Sequence, residues 1–409
     1  MRRAHLWAIA VAAIAPRVVV LLYEREDILT AFTDKSDDFA QTFVEHGTFG
    51  FIPGEPSAYT QPLYGFFLIP VYWIFDRSWW AVGGVQILVA AGTALLVYAI
   101  GARVLSRSAA TVAAIVSTLN PYLVWHDVHL NREILDQLLA AALVLCTLIA
   151  AERRSLPWAT AAGVYAGLAV LGNVRLAFVP LVIAAYLLFR NGLTWAPLAV
   201  VVAAAVIVSP WVIRNRVEVG CFALTTDARA LWKANNLQTY DLLAAGKWID
   251  DVRDPPGRPF PNPEEARDIY VRTGRKVHVD ECTQQDYYQE RVWEFVREHP
   301  GEKAKLAAQA LRMEWDPRTT ASATESGRGA IRDWVQPAYT TVLYTLGLVG
   351  IFVTRRRFVS LALALLAYQT LAAMVFVGAT RYRVSTDFLI AVLAAGALQW
   401  AVESRRRLR

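Results

Sequence analysis

Three aspartates, Asp34, Asp37 and Asp38, fall within five residues of one polar stretch. A carboxylate there could take a hydroxyl proton as that oxygen attacks an electrophile, provided burial raises its proton affinity. A solvated acidic loop is the plainer reading of the same residues. A second group, WHDVHLNREILDQ from Trp125 to Gln137, gathers His126, Asp127, His129, Arg132 and Glu133 where one apolar run ends and the next begins. Glu133 opens that next run, where a carboxylate also suits the positive end of a helix. His126 and His129 are three apart, but no further ligand set accompanies them. Two more stretches carry arginine: GNVRLAF with Arg175, and GATRYRVSTD with Arg381, Tyr382 and Arg383. A guanidinium grips phosphate oxygens in a bidentate fork; pairing with Asp127, Glu133 or Asp387 is the competing explanation. No Walker-type loop, no G-x-G-x-x-G and no zinc-ligand spacing is present, so neither nucleotide chemistry nor a metal site is assigned.

The elements that must position these residues are apolar. Of the 409 residues, 56% are apolar and only 19% charged, with a net charge of +6 and a mean hydropathy of +0.33. That balance argues against a soluble enzyme and a disordered chain, and three cysteines cannot build a disulfide framework. Runs near the length of a bilayer span recur at 4–22, 79–102, 108–125, 134–151, 157–173, 176–189, 194–213, 336–354, 358–378 and 384–402. Residues 62–76 are apolar but short and interrupted by Pro62 and Pro70, which suits an interfacial or re-entrant helix. The middles of the spans are almost free of charge, with Arg17 the one residue in question. With the N-terminus inside, the inner segments hold fourteen arginines, from Arg2 to Arg409, against Glu152 and Glu403. The outer stretch 23–61 reverses this, with eight acids and two basic residues. The positive-inside bias therefore predicts cytoplasmic termini and an even number of spans, and puts all four clusters at the outer face. Met1–Arg3 before an apolar run could also read as a signal peptide, but no small-residue cleavage site follows.

Residues 214–333 hold 39 of the 76 charged residues, 20 acidic and 19 basic. They read as a soluble extracytoplasmic insertion, giving three parts: a transmembrane core over 1–213 with its first outer loop 23–78, the insertion over 214–335, and transmembrane helices over 336–409. Pro255–Pro263 predicts an irregular loop. Residues 284–312 have helical spacing that His299-Pro300 should break, and Lys303–Trp315 reads as a helix along the membrane surface. Cys221 and Cys282 both fall in this block; a disulfide in an oxidising compartment and two free thiols are both open. The fold expected is an all-α polytopic membrane protein of about ten transmembrane helices, with interfacial helices in the first loop and a mixed soluble insertion.

The order of these stretches resembles the GT-C superfamily of membrane glycosyltransferases, in particular family-39-type proteins related to protein O-mannosyltransferases and aminoarabinose transferases. The resemblance rests on the acidic loop before EHGTFGF (Glu45–Phe51), then YTQPLYGFFL from Tyr59, NPYLVWH through NREIL with Glu133, and AGLAVLGNVRLAFVPL (Ala166–Leu181). SPWVIRNRVEVGCFALTT (Ser209–Thr226), REHPGEKAKL (Arg297–Leu306) and RYRVSTD (Arg381–Asp387) follow in order. It covers most of the chain, 1–240 best. By distance to Gly47, Asp34 comes nearest to the family's first-loop acid, with Asp37 next.

The resemblance implies an inverting transfer of a hexosyl or pentosyl group from a polyprenyl-phosphate donor to an acceptor hydroxyl on a lipid, glycan or protein, at the outer face of a bacterial plasma membrane. Asp34 or Asp37 would be the base and Glu133 a second carboxylate. Arg381, Arg383, Arg175 and Arg214 would hold the donor phosphate. Asp38, Tyr59, Asp127 and Lys233, with Asn235 and Asn236, would touch acceptor or sugar. No cofactor is fixed by the resemblance, which leaves a divalent cation, magnesium or manganese, open. Membrane lipids are expected partners and nucleic acid is not. A transporter or flippase of a lipid-linked glycan is the main alternative, but it should put ionisable groups at mid-membrane depth. A non-catalytic scaffold would leave the outer arginines without a reason.

Overall fold

The computed structural model describes residues 3–31, 33–255, 258, 261–318 and 331–407. Arg2, Arg409, part of the Pro255–Pro263 stretch and residues 319–330 of the insertion lie outside the described residues. Among the described residues the chain is helical, with two isolated β-bridges and no strand.

Helix α1 (Arg3–Tyr23) leads into a polar loop, and α2 (Lys35–His46) starts where the Asp34 side chain accepts the Ser36 N–H. α2 stops at Gly47, whose φ of 71° favours a residue without a Cβ. α3 (Pro62–Phe75) is the short apolar helix expected over 62–76. α4 (Trp79–Val104), α5 (Arg107–Thr118), α6 (Pro121–His126), α7 (Glu133–Arg153), α8 (Leu156–Gly172), α9 (Val179–Asn191) and α10 (Trp195–Glu218) follow. The insertion carries α11 (Ala228–Lys233), α12 (Thr239–Ala244), α13 (Pro263–Thr273), α14 (Glu281–Glu298) and α15 (Pro300–Trp315). α16 (Gln336–Val353), α17 (Arg356–Val375), α18 (Thr380–Arg383) and α19 (Asp387–Arg407) complete the described chain.

Among the described residues, eight helices, some with a leading turn, are long and apolar enough to cross a membrane: Arg3–Tyr23, Trp79–Val104, Glu133–Arg153, Val174–Asn191, Trp195–Glu218, Asp333–Val353, Arg356–Val375 and Asp387–Arg407. The other two apolar runs are helical but shorter. The run 108–125 is divided because Asn120 turns its side chain onto the Tyr122 N–H at 3.1 Å and Pro121 begins a new helix. The run 157–173 becomes α8, 17 residues that Asn173 ends. α8 lies against both α7 and α10, and small residues let it approach. A Cβ on Gly163 would come within 2.4 Å of the Val200 carbonyl oxygen, and one on Gly167 within 2.8 Å of the Ile207 side chain. Trp7, Phe189, Trp195 and Phe352 point outward from apolar helices, a surface that lipid covers.

The insertion is tied back to the first loop. Glu281, buried at the start of α14, accepts the Ala58 N–H at 3.0 Å and the Thr226 hydroxyl at 2.6 Å. The expected helix break falls at His299, between α14 and α15. Of the two states left open for the cysteines, the structure has the disulfide: Cys221 and Cys282 are bonded, with their Cα atoms 5.9 Å apart. It closes a loop of 61 residues, and opening it should destabilise this block by roughly 4 kcal/mol on loop-entropy grounds. Thermal unfolding should accordingly fall in Cys282→Ser, and a reducing agent should lower the wild type while leaving the variant unmoved. Equal sensitivity of both to reductant would contradict the bond.

Candidate active site

Seven short segments meet at one end of the helix bundle. A parallel bridge between Thr33 and Leu130, with the Asp34 N–H on the Leu130 carbonyl at 3.2 Å, holds the acidic loop against the 127–131 turn. The segment before α3 contributes Tyr59, Thr60 and Gln61. The α8–α9 turn contributes Asn173, Val174 and Arg175. The insertion adds Thr225, Asp227, part of α11 and Trp248–Asp250, and the loop into α18 adds Phe376, Val377, Arg381 and Tyr382. Together with Arg132 they enclose a cavity of about 260 Å³.

Charge in its wall is unevenly neutralised. Lys35 lies 2.9 Å from Asp227 and 3.2 Å from Glu264, with its ammonium over the Tyr59 ring. Arg381 Nε donates to Glu133 Oε1 at 3.0 Å, and Glu133 is almost wholly buried behind it. Arg132 donates to Gln61, and its Nε stands 3.9 Å from Asp34 Oδ2, close enough for attraction and too far for a hydrogen bond. Asp34 Oδ1 is occupied by the Ser36 N–H at 2.9 Å, which leaves Oδ2 as the oxygen able to take a proton. Arg175 donates to the Val377 carbonyl and stacks its guanidinium 3.7 Å from the Tyr382 ring centroid. Its Nε and Nη1 are buried without a hydrogen-bond partner. Unpartnered guanidinium donors buried beside a cavity gain from an oxyanion that reaches them, because an unmade bond to a charged group is costly.

The candidates from sequence divide accordingly. Asp34, Tyr59, Arg175 and Arg381 line the cavity. Glu133 stands outside the lining and positions Arg381. Asp37 is turned away: Arg77 clasps it through Nε and Nη2, the latter at 2.7 Å, and the Tyr72 hydroxyl donates to it at 2.5 Å. Asp38 pairs with Arg267 at 2.9 Å. Asp127 is saturated by Arg17 and Gln137, and that pair neutralises the one charge that stood out within a span. Arg383 is fully buried on Asp387 and on the carbonyls of Glu314 and Asp316, joining α15 to α19. Arg214 serves the carbonyls of Ser57 and Phe49 and pairs with Glu218 at 2.6 Å, beside a separate groove. Lys233 holds Asp250 from behind the wall at 3.2 Å. Asn235 ties the insertion to the Val375 carbonyl at 3.1 Å, and Asn236 bonds within its own turn.

Two contributors were not assigned roles from sequence. Arg132 belongs to the same stretch as Glu133, and its location on the predicted outer face carried the same signal as Arg175. Glu314 gave none. It is a fully buried residue of α15 whose carboxylate accepts the Ala379 N–H at 3.0 Å and the Gln369 amide at 3.2 Å, fixing the loop that carries Arg381. Burial pushes its pKa up, against the pull of Arg175 and Arg383. Among the described residues no three His, Cys, Asp or Glu side chains gather as a metal site.

Residues 56–213 match the family model described as dolichyl-phosphate-mannose-protein mannosyltransferase. Comparison with curated proteins finds no match. Among solved structures, the archaeal oligosaccharyltransferase AglB from Archaeoglobus fulgidus, in complex with an inhibitory peptide and a dolichol-phosphate, is similar with a TM-score of 0.57. That likeness covers 99% of this chain and 51% of that one at 14% identity. The Archaeoglobus fulgidus oligosaccharyltransferase tethered with an acceptor peptide gives 0.58, over 100% and 51%, also at 14% identity. ArnT from Cupriavidus metallidurans, bound to undecaprenyl phosphate, aligns over 96% of this chain and 78% of that one at 15% identity, with a TM-score of 0.45. The chain spans about half the length of the two archaeal chains, and at these identities their likeness is one of fold. The family match over residues 56–213 and the shared fold make the chain similar to membrane glycosyltransferases of the GT-C type.

Proposed function

We propose that the chain transfers a sugar from a polyprenyl-phosphate donor to an acceptor hydroxyl in this cavity, in one inverting displacement at the outer face of the membrane. The observation that carries the reading is the pair of unpartnered guanidinium N–H groups of Arg175, in a wall that also holds Arg132, Arg381 and the carboxylate of Asp34. The acceptor oxygen forms a bond to the anomeric carbon while the bond from that carbon to the phosphate oxygen breaks. The acceptor proton goes to Asp34 Oδ2, and the leaving phosphate keeps the electron pair. Negative charge grows on that phosphate during the step, and fixed cations at a water-poor wall stabilise it by several kcal/mol. Arg175 supplies the open donors, and Arg132 and Arg381 add charge on either side. Glu133 and Glu314 hold the arginine-bearing loop in register.

The outer-face assignment is supported by the arginine-rich far end of the bundle and by the disulfide, which belongs to oxidising compartments. The flippase alternative loses its mid-depth charge, because Arg17 and Asp127 neutralise one another. The test uses the full chain in liposomes with a panel of polyprenyl-phosphate-linked hexoses and pentoses. Slow transfer to water serves as the readout, since it needs no identified acceptor. Release of polyprenyl phosphate, with inversion at the sugar, is the expected result. Translocation of the intact donor across the bilayer without cleavage would instead support the flippase.

A further inference from the structure

At the end of the bundle away from the cavity, the structure assigns a second anion site, and we infer that it holds the phosphodiester of an anionic membrane lipid. α7 begins beside the cavity and ends there after 21 residues, a separation of about 30 Å. This open surface pocket of about 530 Å³ is lined by Arg103, Arg190, Arg355, Arg356 and Arg357, with Glu152 as its carboxylate. Arg103 is paired with Glu152, and Arg355 donates to the Arg103 carbonyl at 3.1 Å. The side chains of Arg190, Arg356 and Arg357 make no hydrogen bond or ion pair among the described residues.

Five guanidinium groups from the ends of α4 and α9 and the start of α17 are thus gathered around one space against a single carboxylate. Arg190, Arg355, Arg356 and Arg357 are exposed, so solvent screens their mutual repulsion, and an anion seated among them gains attraction from several cations at once. Oxygens of a phosphodiester match the guanidinium fork, which is the geometry that makes arginine the preferred phosphate ligand. The elements that bring the arginines together are helices of membrane length, so the pocket lies at headgroup depth. That location commits the ligand to a lipid of the same leaflet and not to a soluble phosphate. Topological bias alone accounts for arginines at this end, but it asks only for their number and not for their convergence on one pocket.

The test is native mass spectrometry of the full chain in detergent with added phosphatidylglycerol or phosphatidylcholine. Wild-type protein should retain phosphatidylglycerol about tenfold better than phosphatidylcholine, and an excess of inorganic phosphate should not displace it. Arg190→Gln, Arg356→Gln and Arg357→Gln combined should remove that preference. The equal change in charge at Arg405→Gln, Arg406→Gln and Arg407→Gln should keep retention within about twofold. Equal retention of the two lipids, displacement by phosphate, or the same loss in both triple variants would each overturn the site. Should the first triple variant not fold, Arg356→Gln alone should weaken retention and Arg356→Lys should restore much of it. An Arg356→Gln protein that binds like wild type overturns the site as well.

Discussion

Asp34→Asn should lower transfer about 10²–10⁴-fold, the range a positioned base contributes, without lowering the amount of folded protein. The substitution separates the two jobs of this side chain. Asn caps helices about as well as Asp, so the bond from the Ser36 N–H that starts α2 survives. What is lost is the carboxylate at Oδ2, the oxygen near Arg132 that is free to accept a proton. Asp37→Asn, three residues on, should behave in the opposite way. It weakens the clasp of Arg77 and the Tyr72 hydrogen bond, a largely buried cluster. The cost should be about 2–3 kcal/mol of stability, because the guanidinium loses its charged partner, while residual folded protein keeps its turnover number. Expression-normalised kcat and the thermal midpoint, measured for both variants, decide the matter. Full activity in Asp34→Asn, or a stable and inactive Asp37→Asn, would reverse the assignment of the base.

The contrast between these two aspartates marks the limit of what the sequence could disclose. Spans were legible because a bilayer demands long apolar runs, and α1, α4, α7, α10 and α17 lie within a few residues of the runs that predict them. The shortened helices α5 and α8 are where local chemistry at Asn120-Pro121 and Asn173 overrides hydropathy. Arg175 and Arg381 were legible for the same electrostatic reason, since arginine on the acidic side of a membrane protein needs a partner. That rule does not say which partner. Arg381 and Arg383 are two residues apart, yet one reaches the cavity and the other is locked to Asp387. The difference follows from the turn at Thr380–Arg383 and from α15 packing over it, and both depend on residues far away in the chain. Glu314 could not be found at all from its surroundings, because an acid in an amphipathic helix looks solvated until the helix is docked.

Arg175→Ala tests the phosphate assignment more cleanly than any change at Arg381. Removing Arg381 would strip Glu133 of its hydrogen-bonding cation and leave a carboxylate about 1% exposed, so loss of activity there would mix binding with a buried-charge penalty. Among the described residues no carboxylate is hydrogen-bonded to the Arg175 side chain, and the buried Glu314 that it attracts keeps Arg383 as a second cation. The one side-chain hydrogen bond of Arg175 goes to the Val377 carbonyl, and the bond from the Tyr368 hydroxyl is to the Arg175 backbone, which the substitution leaves in place. Losing the open Nε and Nη1 donors should cut kcat/KM for the donor about 10²–10³-fold, the usual cost of one donor aimed at developing charge. Binding of free polyprenyl phosphate should weaken at least about tenfold, since a bidentate charge-assisted contact is lost. The acceptor KM should stay within about twofold of wild type, as the group touches only the leaving phosphate. Arg175→Lys keeps a charge but not the fork or the stacking on Tyr382, and should recover only part of the loss. Equal loss toward donor and acceptor, or undiminished binding of polyprenyl phosphate by Arg175→Ala, would remove the phosphate from this wall and with it the direction in which the leaving group departs.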